Sequence, residues 1–143
     1  MNLGRKTGNR AKMTGLTMLF GGLLLAACSD PQLPPEEAVE IRAQARWDAL
    51  VDFNTSDAWE YYTPGFRSTY AQRDFAQDMA RRPIRWLGAE VVEVICDDDL
   101  CNAWIEVQYD APGAPATQRR VKLKREIKET WLLVDGQWWY AEN

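Results

Sequence analysis

Near Arg85 the hydrophobic period of this chain changes from that of a helix to that of a strand, and this switch constrains the fold more than any other feature. Upstream, Val39, Ala43, Trp47 and Leu50 recur at spacings of four, four and three. Pro35 suits a first helical position, and Glu36 and Glu37 suit the positive end of the helix dipole, so a helix is expected over about 35–53. Asn54-Thr55-Ser56-Asp57 then supplies stop and cap chemistry, with Asp57 and Glu60 in a capping pattern for a short helix through Tyr62. Thr63-Pro64-Gly65 reads as a turn. A third helix is expected over about 71–81, with Phe75 and Met79 on one side and Pro83 ending it.

Downstream, Val92, Val94 and Cys96 alternate, Asp97 to Leu100 intervene, and Cys101, Ala103, Ile105, Val107 and Tyr109 alternate again, which predicts a β-hairpin with a four-residue loop. If Cys96 and Cys101 stand directly opposed, Val94 faces Ala103 and Val92 faces Ile105, and one register buries every apolar member on one side. A disulfide between Cys96 and Cys101 and this register predict each other, and an oxidising compartment favours the bond over two reduced thiols. C-x₄-C in a hairpin does not match a C-x-x-C redox motif. Asp110 to Thr117 reads as a flexible loop. A long strand follows from about Gln118 to Val134, and Asp135-Gly136 turns it into a closing strand from Gln137 to Ala141. Val121, Leu123, Ile127, Trp131 and Leu133 share one face of the long strand, and two charged residues, Arg125 and Glu129, fall in phase with them. The basic run from Arg119 to Arg125 alternates as a strand does, so its basic side chains are expected to guard an exposed strand against edge pairing, with binding to phosphate groups of lipid as the alternative.

The N-terminus sets the compartment. Arg5, Lys6, Arg10 and Lys12 precede an apolar run from Met13 to Ala27 that ends at Leu25-Ala26-Ala27-Cys28, the pattern of a secretory signal peptide. The run falls short of the roughly 20 residues of a membrane-spanning helix. The tetrapeptide resembles the lipobox of bacterial lipoproteins, which implies that Cys28 becomes the first mature residue and carries acyl chains that hold the protein to the membrane. An ordinary signal peptide cut near Ala27, with Cys28 unmodified, is the alternative. The division expected is a signal peptide over 1–27, a Pro-rich tether over 28–34 and one domain over 35–143. By the sorting rule of lipoproteins, Asp directly after the cysteine means inner-membrane retention. Here Ser29 holds that position, which points to the periplasmic side of the outer membrane, with the inner membrane as the alternative.

Composition narrows the function. Removing the four basic leader residues from 17 leaves 13 against 21 acidic residues, a mature charge of −8 that argues against nucleic-acid binding. The chain has no histidine. That excludes Ser-His-Asp and Cys-His catalysis and, with only Cys96 and Cys101 left after lipidation, makes neither a metal site nor a cofactor expected.

Arg46-Trp47-Asp48-Ala49-Leu50, the stretch Asp57 to Arg67, Glu129-Thr130-Trp131 and Asp135-Gly136-Gln137-Trp138-Trp139 resemble the nuclear transport factor two-like (cystatin-like cone) superfamily, and in particular its small envelope lipoproteins. The resemblance implies an α+β fold: three N-terminal helices packed on a strongly bent antiparallel sheet of about four strands, with a cavity between sheet and helices. It carries no catalytic motif. Dehydratases of that fold use His with Asp, a pattern this chain lacks. An isomerase-like set is left to be assembled from Tyr61, Tyr62, Tyr70, Asp48 or Asp74. Trp47, Trp131 and Trp138 are expected mainly as core. The expected pocket is bounded by Trp47, Tyr62, Phe66, Tyr70, Arg125 and Glu129, with Arg125 and Glu129 either a buried pair or solvated at a sheet edge. The function expected is a non-catalytic binding module with a small molecule or an envelope protein as partner. A Tyr/Asp isomerase and a structural envelope subunit are the alternatives.

Overall fold

The computed structural model describes residues 33–113 and 119–142. Cys28, the signal peptide and most of the tether lie outside the described residues. Four helices lead: α1 (Pro35–Val51), α2 (Thr55–Trp59), α3 (Pro64–Thr69) and α4 (Gln72–Arg81). Four antiparallel strands follow in the sheet order of the chain: β1 (Arg85–Asp97), β2 (Leu100–Pro112), β3 (Arg120–Val134) and β4 (Gln137–Ala141). This is the expected α+β architecture with one helix more. Thr63-Pro64-Gly65, expected as a turn, opens α3, because the Thr63 hydroxyl accepts from the Phe66 N–H and Pro64 occupies the first turn where no donor is needed. A six-residue helix is too short to show a hydrophobic period. The cap of α2 likewise sits three residues earlier than expected, at Asn54, whose side chain accepts from the Asp57 N–H at 3.3 Å.

α1 stops in a Schellman arrangement: Phe53 takes φ 60°, and the N–H groups of Phe53 and Asn54 donate back to the carbonyls of Leu50 and Ala49. Its stripe of Val39, Ala43, Trp47 and Leu50 buries against Cys101, Ala103, Ile105 and Val107, the alternate residues of β2, all of which are fully buried. Each full-sized aliphatic side chain among them stabilises by about 1.5–3 kcal/mol.

The β1–β2 register runs Cys96 to Cys101 and Val94 to Ala103, as expected, and the two cysteines form the disulfide. Asp97 pairs with Leu100, so the hairpin turns in the two residues Asp98 and Asp99, with Asp98 at φ 50°. The expected Val92–Ile105 pairing fails. A bulge between Val91 and Glu93 puts Val91 opposite Ile105 and turns Val92 out to solvent. The side-chain amide of Gln44 seals β1 there, donating to the Ala89 carbonyl at 3.0 Å and accepting from the Val91 N–H at 3.1 Å.

At the other side of the sheet, β4 pairs with Thr130 to Val134 of β3. The outer edge of β3 from Arg120 to Glu129 has no partner among the described residues, and Lys122, Lys124 and Lys128 stand along it. Beyond β4 the backbone of Tyr61 to Thr63 straps the sheet: the Tyr140 N–H donates to the Tyr61 carbonyl at 2.8 Å and the Thr63 N–H to the Tyr140 carbonyl at 3.1 Å. This strap sets Tyr62 against Tyr140. Among the described residues no helix is long and apolar enough to cross a membrane.

Candidate functional site

A cavity of about 310 Å³ lies between the helices and the sheet, with Arg46, Trp47, Tyr62, Tyr140, Ile127 and Glu129 in its wall and Arg82, Arg125 and Glu142, all exposed, also lining it. α1 supplies Arg46 and Trp47, the strap supplies Tyr62, and β3 and β4 supply Glu129 and Tyr140.

Glu129 is 2% exposed. Its partner is Arg46, and the expected pairing with Arg125 does not form. Arg46 Nη1 donates to Glu129 Oε1 at 2.6 Å, with both side chains buried. Residues four apart on one strand share a face but stand roughly 13 Å apart along it, whereas the side chains of Arg46 and Trp47 on α1 both reach Glu129. Arg125 sits opposite Val107, exposed at the cavity mouth. Two indoles complete the carboxylate's shell: Trp47 Nε1 donates to Oε1 at 2.9 Å and Trp131 Nε1 to Oε2 at 3.3 Å. Burial pushes the Glu129 carboxyl above the usual range, opposed by the Arg46 charge and by the donors from Trp47, Trp131 and Arg46. Burial alone would lower Arg46, but the charge of Glu129 and the phenols of Tyr62 and Tyr140 hold it above its ordinary value. A guanidinium cannot be neutralised here, and every contact to Glu129 is a donation, the set an ionised carboxylate accepts.

The rest of Arg46 faces aromatics. Nη2 donates to the Tyr62 hydroxyl at 3.0 Å, and the guanidinium carbon lies 3.9 Å from the Tyr140 ring centroid, 5.1 Å from Tyr62 and 5.6 Å from Trp47. Its Nε finds no hydrogen-bond acceptor among the described residues. Tyr62 and Tyr140 meet edge to face at 4.9 Å. Burial pushes the Tyr140 phenol up to about 12, with Arg46 working against the rise.

The structure therefore places Trp47, Tyr62, Arg125 and Glu129 around one cavity. Phe66 and Tyr70 line a neighbouring hollow beside Phe75 and α4, joined to the first through Met79, Arg82 and Glu142. Tyr70 donates its hydroxyl to Asp78, and Phe66 stacks on Tyr62 with ring centroids 4.5 Å apart, so these two support the pocket from behind. Of the isomerase-like candidates, Asp48 accepts from Gln44 on the exposed side of α1, and Asp74 faces Arg73. Neither lines the cavity. Among the described residues no three His, Cys, Asp or Glu side chains gather as metal ligands.

Arg46 and Tyr140 were missed. Arg46 falls three residues after Ala43 and four before Leu50, on the apolar stripe of α1, and a charge in that phase is the signal of a buried partner. Tyr140 alternates with Trp138 on β4 and carried the same kind of signal.

No protein-family model matches the sequence, and no curated protein sequence matches it. Solved structures do match in fold. A SEC-C motif-containing protein from Rhodopseudomonas palustris superposes with a TM-score of 0.56 at 13% identity, over 73% of this chain and 76% of that one. An NTF2-like family protein from Streptomyces avermitilis, named as a dehydratase, gives 0.53 at 13% identity over 73% of this chain and 90% of that one. The fold is NTF2-like. An NTF2-like protein from Campylobacter jejuni, named as a transpeptidase, gives 0.51 at 12% identity over 73% and 98%. At these identities the NTF2-like relationship is one of fold alone, and activity has to be argued from the cavity.

Proposed function

We propose that this chain is a non-catalytic binding module of the bacterial envelope, anchored through acyl chains on Cys28 to the outer membrane on its periplasmic side, with a small molecule as the occupant of the Arg46–Tyr62–Tyr140 cavity. One observation carries the non-catalytic part. Glu129, the only buried acid among the described residues, accepts from Arg46, Trp47 and Trp131, so three of its roughly four acceptor sites are filled and little capacity is left for a substrate proton. A general base needs that capacity within hydrogen-bond reach of the reacting proton, and the chain has no histidine to replace it. A cavity of about 310 Å³ falls at the lower end of ligand-site volumes. The leader and lipobox-like tetrapeptide support the anchor.

The test has two arms. Radiolabelled palmitate fed to cells expressing the full chain is expected to label the wild type, which then fractionates with the outer membrane, and not Cys28→Ala. An unlabelled, soluble wild type overturns the anchor. Native mass spectrometry of the full chain released from its own membrane is expected to show an adduct of small-molecule mass that Ile127→Trp, a larger ring in the cavity wall, abolishes. Bare protein in both samples would favour the structural-subunit alternative.

A further inference from the structure

We propose that the ligand of this cavity is a small monocarboxylate with an apolar body, its head held by the hydroxyls of Tyr62 and Tyr140. The inference rests on the binding-module reading and adds the chemical class of the ligand.

The hydrogen-bond account of the wall decides the polarity of the head. Glu129 accepts from three N–H donors, which leaves it about one acceptor site, on Oε2. The Tyr62 oxygen accepts from Arg46 at 3.0 Å, so its own O–H remains to be given. Tyr62 is 4% exposed, and no acceptor for that proton is present among the described residues. The hydroxyl of Tyr140, a half-buried residue, likewise has no partner among them, and a phenol is protonated, hence a donor, at neutral pH. A buried donor without an acceptor destabilises the state that holds it, and a ligand acceptor relieves that cost. With the Tyr62 and Tyr140 hydroxyls and Arg46 Nε all without an acceptor among the described residues, the polar capacity left in this wall is chiefly donating.

Charge decides that the acceptor is an anion of single charge. Arg46 is neutralised by Glu129. At the mouth Arg82 and Arg125 face the lone acid Glu142, and among the described residues none of the three makes an ion pair, which leaves one unmatched positive charge. A carboxylate brings one charge and two acceptor oxygens for two hydroxyls whose rings meet at 4.9 Å.

Size and lining decide the body. Trp47, Trp86, Ile127 and Met79 make the remaining wall apolar. An apolar cavity of about 150 Å³ takes benzene, so about 310 Å³ has room for a ring and its head group.

Benzoate and its neutral isostere benzamide are the probes, titrated calorimetrically into the full chain in mild detergent at neutral pH. Benzoate is expected to bind at least roughly tenfold more tightly than benzamide, as a hydrogen bond to a charged group dictates. Tyr140→Phe keeps the ring and the fold, and is expected to weaken benzoate roughly tenfold while leaving benzamide within twofold. Arg125→Gln, at an exposed position where folding is not at stake, is expected to weaken benzoate severalfold and reduce the salt dependence of its binding. Equal affinity for the two probes, or indifference of benzoate to Tyr140→Phe in a variant with the wild-type melting temperature, overturns the carboxylate assignment and leaves the binding-module reading standing. Failure of both probes to bind overturns the cavity as a ligand site and the assignment with it.

Discussion

Arg46 and Glu129 are two charges placed where water does not reach, and their worth lies in being together. Removing two ions from water costs several kcal/mol each, and the attraction between them repays this only with good geometry and added hydrogen bonds. Here Nη1 to Oε1 is 2.6 Å, and two indole N–H groups complete the acceptor. Glu129→Gln leaves the Arg46 cation buried without its counterion and is expected to lower unfolding stability by about 3 kcal/mol or more in urea. Arg46→Met combined with Glu129→Gln is expected to recover most of that loss, since no unpaired charge remains and the amide oxygen can still accept from an indole N–H; additive losses in the double variant would show that the two residues act independently. Tyr140 gives a pH signature. Its phenol is raised from 10.0 to about 12 by burial, so the unfolded chain sheds this proton first. The stability it contributes is complete below pH 10 and is lost as pH rises to about 12. The difference in ultraviolet phenolate absorbance between wild type and Tyr140→Phe is expected to titrate near 12; a midpoint near 10 would mean the ring is solvated.

At the scale of elements, the β1–β2 hairpin shows how far a pattern reads. Cys96 opposite Cys101 and Val94 opposite Ala103 follow from alternation alone, because side chains on a strand repeat with period two. The slip at Val92 does not: a bulge adds one residue, leaves composition unchanged and inverts the phase beyond it. Gln44, which fills the backbone valences at that bulge, comes from α1, 47 residues from Val91, and no local pattern links them. The disulfide closes a short loop, with a sequence separation of 5, so its removal acts mainly through a small entropy term. Cys96→Ser with Cys101→Ser is expected to cost about 2 kcal/mol. The β-sheet circular dichroism should persist, because β2 remains paired with β3 along its length. Loss of the sheet signal would mean that the hairpin is the nucleus on which the rest depends.

Over the whole molecule, the order of helices then strands, the antiparallel hairpins, the faces of α1 and β2, the inward face of β3 from Ile127 onward and the burial of Trp47, Trp131 and Trp138 were legible in the residues alone, whereas Val121 and Leu123, expected on that same inward face, stand exposed. The legible features follow from hydrophobic period, caps and turn residues, all of which act within a few positions of one another. α3 escaped because one turn of helix carries no period, and its start signals were those of a turn as well. That Glu129 faces inward was legible in its phase on β3; that its partner is Arg46 and not Arg125 was not. Phase along a strand says which face a charge takes, but ion pairing is set by distance, and Arg46 comes within reach of Glu129 because the apolar stripe of α1 packs into the core over the sheet. The tertiary structure alone also put Tyr62 beside Tyr140, through backbone bonds between the strap and β4 that any side chains at those positions would permit. Four segments distant in sequence thus build one cavity, and their meeting is decided by the packing of the core.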